Sequence, residues 1–477
     1  MLAILKKIEA IVWGPVLIFM ILGIGLLFTI RLRGIQFRRF PYVIKNTLMK
    51  MFDKHELAEG EISPFQALAT ALAATVGTGN ILGVTTAILL GGPGAVFWMW
   101  VAAILGMTTK FAEVALSVAY REKREDGSWA GGPMYYLDKG LGFSGLAKFF
   151  AFFAALATFG IGDSTQSNAI AKVLETNFGF SPILVGMVLT ILVAIAIIGG
   201  IQSIAKVAEK LVPFMAFFYI VGGLFVFFAN YQAIPSAFLS IFQEAFNTKA
   251  AVGGFAGSVM LTSMRAGIAR GVFTNEAGLG SSPIAQASSS VDHPIRQAIW
   301  GIFEVFVDTI IVCSITALVL ITSGVLIQEG ITADLAIAET FSSVFTWGKY
   351  IVTIGLTLFA FSTILGWEYY GETSARYLLG DWVIWPYRLL YILMCFVGTT
   401  VELGVIWLVA DILNALMAFP NLIGLAFLSG DVVRLSEDFF ANPNYIRKSS
   451  LEYEHLLKGR KRIALARNHP SVDSMYS

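Results

Sequence analysis

Hydrophobic residues in this chain fall into long blocks separated by short polar connectors, without the face-by-face alternation of a soluble fold. Sliding hydropathy divides them into eleven blocks, at about 11–31, 64–91, 94–120, 146–175, 181–200, 208–229, 252–281, 295–322, 346–378, 384–400 and 402–429. Most reach the ~20 residues that an α-helix needs to cross a bilayer. The pattern predicts an all-α polytopic membrane protein with eleven spans. The first block, Ile11 to Ile30, is of full length and has no small-residue cleavage site, so it is expected to stay as a span.

Two blocks contain residues unsuited to lipid. In the second, Thr75–Asn80 (TVGTGN) sits midway. Lipid offers no partner to a freed backbone N–H or C=O, so non-helical backbone there has to line a protein-walled cavity. In the seventh, Met264–Gly280 carries Arg265, Arg270, Asn275 and Glu276 among small residues. Paired interrupted helices at matching places in two halves are the mark of a midplane solute or ion site. Blocks two to six and seven to eleven make five each, and an odd number forces opposite topology on the two sets. The expected organisation is a peripheral first helix with its basic connector (1–63), a five-helix repeat (64–230), a second, inverted five-helix repeat (251–430) and a tail (431–477).

Charge then sets an orientation. The connector after the first block holds Arg31, Arg33, Arg38, Arg39, Lys45, Lys50 and Lys54, which predicts that it is cytoplasmic and the N-terminus outside. Later loops agree: Arg121, Lys123 and Arg124 fall inside, and the loop 323–345, with Glu329, Asp334 and Glu339 but no Lys or Arg, falls outside. The C-terminus is then cytoplasmic. The tail from Leu435 reads as a loose helix followed by disorder. Its basic cluster at 458–462 either touches anionic lipid or belongs to an ordinary tail.

Composition narrows the class. The chain has 477 residues, 56% hydrophobic and only 14% charged, where soluble domains carry about 25% charge. A net charge of +1 gives no field for nucleic acid. Cys313 and Cys395 lie inside apolar blocks and read as small core residues. All four histidines lie outside the spans, so no haem or intramembrane zinc site is expected. No repeated pore loop or ring of like charges suggests a channel.

The candidate chemistry sits in four spans. Around Thr78, unwinding would aim amide N–H groups of the following half-helix at a cavity, where a helix N-terminus suits a carboxylate, while carbonyls ending the preceding half suit a bare cation. Close helix packing is the alternative use of Gly77 and Gly79. In the seventh span Gly267 and Gly271 are the candidates for the break, followed by Phe273 and Thr274. Arg265, Arg270 and Glu276 are either functional or paired structurally near the cytoplasmic end. In the fourth, Asp163 and Gln166 are three apart and would share a helix face. Gln166 both donates and accepts, which fits a zwitterion. Asp163 is a cation or proton site, or a satisfied interhelical hydrogen bond. In the ninth, Ser362 and Thr363 are adjacent hydroxyls that either bond their own backbone or ligate a cation. Trp367 either caps a small ligand side chain or packs.

These stretches resemble the alanine or glycine:cation symporter family, within the amino acid–polyamine–organocation superfamily. The similarity lies in Ala71–Ile81 (ALAATVGTGNI), Gly91–Trp100 (GGPGAVFWMW), Thr109–Glu113 (TKFAE), Gly131–Tyr136 (GGPMYY) and Arg270–Gly280 (RGVFTNEAGLG). It covers the second to eleventh spans. The resemblance implies a leucine-transporter-like fold with two five-helix inverted repeats and one extra N-terminal helix. It also implies sodium-coupled import of small neutral amino acids such as alanine or glycine, with a proton replacing sodium in some relatives. The proton alternative would use Asp163 or Glu276. The implied sodium ligands are the carbonyls of Ala73, Val76 and Phe359 and the hydroxyls of Ser362 and Thr363. The implied substrate contacts are Thr78, Gly79, Asn80, Gln166, Gly271, Phe273, Thr274 and Trp367. Thr274 stands where many relatives have serine, which keeps the hydroxyl and adds a methyl. No organic cofactor and no obligatory protein partner is implied; the partners are the amino acid, sodium and the lipid bilayer.

Overall fold

The computed structural model describes residues 2–51, 60–246, 256–327, 330–401, 404–447 and 450–458. It is helical throughout, apart from a two-stranded hairpin of Glu122–Lys123 with Trp129–Ala130. Among the described residues, eight helices are long and apolar enough to span a bilayer. The pair Pro64–Thr75 and Gly79–Gly91, bent by 51°, makes a ninth. These nine coincide with nine of the eleven predicted blocks. The other two blocks are also helical. Pro182–Ile197 has only 16 residues, and Ala256–Asn275 carries Arg265 and Arg270.

The packing is polar inside and apolar outside. Ile183, Leu184, Met187, Val188, Ile191, Leu192 and Ile195 of helix Pro182–Ile197 are exposed, as are Phe214, Phe217, Phe225 and Phe228 of Gly200–Ala229. Thr78, Asn80, Asp163, Gln166, Thr274, Glu304, Asp308 and Ser362 are buried. In water the reverse distribution would be favoured, so the exposed apolar faces are lipid faces.

The first broken span lies centrally, packed on Gly200–Ala229 and Gly348–Leu379 through its first half and on Ala256–Asn275 through its second. Helix Pro64–Thr75 starts on a capping box, in which Ser63 Oγ accepts from Gln66 N and Gln66 Oε1 accepts from Ser63 N. Two other spans contain widened π-helical turns, at Thr158–Ser164 and Phe306–Cys313. Such turns release backbone groups from the regular ladder and often mark functional positions.

The tail begins as a helix, as expected, but a packed one: Ser429–Ala441 has Val432, Leu435 and Phe439 buried against the body. The basic cluster at 458–462, apart from Lys458, lies outside the described residues. The break of the seventh span falls later than expected. The helix continues through Gly267 and Gly271 to Asn275, and the chain turns at Glu276, Gly278 and Gly280, which all have positive φ (56°, 95° and 83°). The two helical glycines serve close packing instead. A methyl on Gly267 would collide with the Ala95 carbonyl, and one on Gly271 would press on Met99.

Candidate functional site

The first break begins where Val76 leaves the helical region (φ −80°, ψ 88°). Asn80 closes it locally: its Oδ1 accepts from Gly77 N at 2.9 Å, and its own N–H donates to the Gly77 carbonyl at 3.2 Å. The sequence places glycine at 77 because the ninth span passes there, and a methyl on Gly77 would collide with Thr363 Oγ1. Gly366 is similar, since a methyl there would come within 2.8 Å of the Ala74 backbone nitrogen.

This close approach gathers oxygens. Ser362 Oγ lies 3.1 Å from the Ala73 carbonyl and 2.9 Å from the Phe359 carbonyl. Thr363 Oγ1 lies 2.9 Å from the same Phe359 carbonyl. Both hydroxyls thus bond their own helix backbone at Phe359, and Ser362 also reaches Ala73 across the span interface, so four of the five residues implied as sodium ligands are linked; Val76, the fifth, is at the break itself. The donors are neutral hydroxyl and carbonyl oxygens, the type that suits a hard, weakly polarising cation.

Beside the break is a cavity of about 360 Å³, lined among others by Thr78, Gly79, Arg270, Phe273, Thr165 and Trp407. The Thr78 hydroxyl is buried with no hydrogen-bond partner. Gly79 leaves room for Phe273 and Thr274, whose side chains a methyl there would meet at 3.1 Å. Phe273 stacks on Trp407, with ring centroids 6.1 Å apart, and the Arg270 guanidinium lies over the Phe273 ring at 5.6 Å. Gln166 sits one residue from the lining residue Thr165. Its Nε2 donates to the Ile161 carbonyl at 2.9 Å, and its Oε1 is buried without a partner. Trp367 does not line this cavity; it packs on Gly162 and against the Tyr370 ring. Both Asp163 oxygens are buried, with the Cys395 thiol as their polar neighbour.

Asn80 faces away from the cavity. Its Nδ2 donates to Asp308 Oδ1 at 2.6 Å and to Cys313 Sγ at 3.3 Å. Thr309 Oγ1 donates to Asp308 Oδ2 at 2.7 Å, and Asn275 Nδ2 donates to Thr309 Oγ1 at 3.0 Å. Asp308 is thus a fully buried carboxylate held by neutral donors, with no ion pair among the described residues. Sequence reading missed it. The available signal was an acidic residue in an otherwise apolar run, Phe306–Cys313.

The second break is held differently. Glu113 Oε1 accepts from Gly278 N at 3.0 Å and from Asn421 Nδ2 at 2.6 Å, and Tyr136 donates to Asn421. Ser281 donates to Glu276 at 2.5 Å; Ser282 donates to Glu304 at 2.7 Å, as does Gln286. Lys110 Nζ lies 3.3 Å from Glu304, with both side chains fully buried. Arg265 and Arg270 take no part: both line another cavity, beside the N-terminal helix and Asp411. Of the two readings left open, the structural pairing of Glu276 with these arginines is not seen; Glu276 accepts from Ser281.

A family model described as the Sodium:alanine symporter family matches residues 1–452. The chain belongs to the sodium:alanine symporter family. Curated relatives include the sodium/alanine symporter AgcS of Methanococcus maripaludis, 48% identical over 94% of this chain and 98% of that protein. The probable sodium/glutamine symporter GlnT of Bacillus subtilis is 34% identical, with 95% and 93% covered. A crystal structure of MhsT in complex with L-phenylalanine superposes with a TM-score of 0.59 at 14% identity, covering 86% of this chain and 99% of that one. At that identity the likeness concerns the fold, which is leucine-transporter-like. Membership makes this chain a multi-pass, cation-coupled amino acid symporter of a transporter family.

Proposed function

We propose that this protein imports alanine, glycine or a similar small neutral amino acid together with sodium, by alternating access across the plasma membrane. The observation that carries the reading is the cluster of Ala73 and Phe359 carbonyls with the Ser362 and Thr363 hydroxyls, packed against Gly77 at the break. Sodium there would tie the second span to the ninth, with Val76 contributing its carbonyl. The substrate carboxylate would meet the Gly79 amide and the orphan Thr78 hydroxyl, while Asn80, whose N–H is already given to the Gly77 carbonyl, would hold the break in shape. Gln166 Oε1 would accept from the ammonium. Phe273 and Thr274 would form the wall opposite Gly79, Gly271 would let their helix approach Met99 closely, and Trp367 would act through Gly162 on the turn that precedes Gln166. The sodium/alanine relative, at 48% identity, supports this choice of substrate and ion.

In this reading the N-terminus lies outside and the C-terminus in the cytoplasm, and residues 64–230 and 251–430 form the two inverted repeats. Import of one net positive charge gains about 2.3 kcal/mol per 100 mV. That gain sustains roughly 50-fold accumulation before the sodium concentration gradient is added.

Changing Ser362 and Thr363 together to alanine tests the ion. The expected result is normal insertion with loss of sodium stimulation of alanine uptake; undiminished stimulation would remove these residues from the ion site. A second reading is proton coupling, favoured by the buried Asp163 carboxylate, which has no ion pair among the described residues. Glu276 fits it less well, since Ser281 already bonds it. Proteoliposomes given a sodium gradient without a pH gradient separate the two: uptake supports sodium, and uptake only with a pH gradient supports the proton.

A further inference from the structure

The turn that ends the first span and the helix that begins the tail enclose a small polar cavity of about 210 Å³. Arg31, Arg33, Arg38 and Arg39 form one wall; Glu437 and Phe440, one helical turn apart on Ser429–Ala441, help form the other. Arg31 Nη1 donates to Ser429 Oγ at 2.7 Å, and Arg39 lies over the Phe440 ring at 4.7 Å. The two walls are therefore docked on each other.

The charge on this cavity is unbalanced. Arg296, Arg376, Arg388, Arg434 and Arg447 all pair with carboxylates. None of the four arginines here is in an ion pair among the described residues, although Glu437 lines the same cavity. The Nε of Arg39 is buried with no acceptor at all. Four guanidiniums repel one another, and a buried N–H without an acceptor is costly. An oxyanion relieves both. Guanidinium N–H groups in a fixed fork match the oxygens of phosphate and of carboxylate bidentately. A particular source of phosphate fits, because Ile30 and Phe37, next in sequence to the lining residues Arg31 and Arg38, are exposed at the end of a lipid-facing span, where acyl chains would lie. Basic pockets at the ends of spanning helices are a known setting for phospholipid headgroups.

We propose that this pocket binds a phosphate group, supplied by the headgroup of an anionic phospholipid such as phosphatidylglycerol. The bound lipid would join the first span to the tail helix by neutralising the arginine wall between them. The proposal does not depend on which amino acid or ion is transported.

Native mass spectrometry of the full chain in detergent tests it, with phosphatidylglycerol, phosphatidylcholine or inorganic phosphate added to wild type and to an Arg33→Gln/Arg38→Gln variant. Both side chains are exposed, so the variant should fold. The expected result is preferential retention of phosphatidylglycerol, weakened about thirtyfold in the variant. Displacement of that lipid by millimolar phosphate in wild type would still place a phosphate in the pocket, with free phosphate as an alternative source. Equal retention of both lipids, or a variant indistinguishable from wild type, would overturn the proposal.

Discussion

The two interrupted spans occupy matching places in the chain but are built from opposite chemistry. The break at Val76–Thr78 is neutral. Its polar groups are backbone amides and carbonyls, two hydroxyls from the ninth span, and Asn80. The break at Glu276–Ser282 is ionic, with Glu113, Glu276 and Glu304 around one ammonium, Lys110. At the first, the Thr78 hydroxyl beside a cavity has no partner. At the second, at least one oxygen of every carboxylate is bonded to the loop or to a neighbouring span. The difference teaches that matching positions in the two halves need not mean matching duties. The first break leaves a hydroxyl unpartnered beside a cavity, and the second ties its loop to neighbouring spans, with Glu113 Oε2 left over.

The largest expected effect lies in the ionic break. Lys110→Met would leave Glu304 buried without its cation, and breaking one side of a buried pair costs about 3–5 kcal/mol. Thermal unfolding in detergent should show a large loss, which the Lys110→Met/Glu304→Gln double variant partly restores. An unchanged melting temperature for Lys110→Met would mean that the second break does not rest on this pair.

The next effect tests the neutral break. Gly77→Ala forces the buried Thr363 hydroxyl aside, and overpacking of this kind costs about 1–3 kcal/mol. Because the displaced atom belongs to the proposed ion site, the apparent sodium affinity should fall along with stability. Loss of stability with normal sodium affinity would separate Gly77 from ion binding.

The contrast between the breaks was only half legible in the sequence. The spans could be read because lipid demands long apolar blocks, and the first break because glycine, threonine and asparagine at mid-span have few other uses. Lys110 and Glu113 were visible as the TKFAE stretch, but nothing in the linear order shows that their partners are Glu304, Gly278 and Asn421, between 165 and 308 residues away. The second break was misplaced because glycine has two uses in a membrane helix. Gly267 and Gly271 permit close approach of Gly94–Ala119, while the break itself depends on Glu276 adopting a positive φ, which side-chain identity does not announce. Asp308 escaped notice because one acidic residue hardly lowers the hydropathy of a long block. Asp163 and Gln166 could be paired by helical spacing, but the π-helical turn at Thr158–Ser164 changes that spacing locally.

Asp308 connects the two regions, since it reaches Asn80 of the neutral break directly and Asn275, which precedes the ionic one, through Thr309. Asp308→Asn keeps the size and removes the charge. If the carboxylate supports cation binding through Asn80, the apparent sodium affinity should fall by about tenfold, equivalent to 1.4 kcal/mol, with little change in alanine binding at saturating sodium. If both are unchanged, Asp308 only positions Asn80.

The smallest expected effect belongs to Gly271→Ala. In a helix interior, alanine is favoured over glycine by about 0.5–1 kcal/mol. Against that, the new methyl would lie 3.1 Å from Met99 Cγ, and a methionine side chain can yield. The two terms nearly cancel, so stability and alanine uptake should both stay close to wild type. A glycine that served as the hinge of the second break would behave otherwise, because alanine would restrict the backbone angles on which the break depends. Abolished uptake in well-folded Gly271→Ala protein would therefore move the working break back to Gly271 and restore the symmetry that the ionic loop at Glu276 denies.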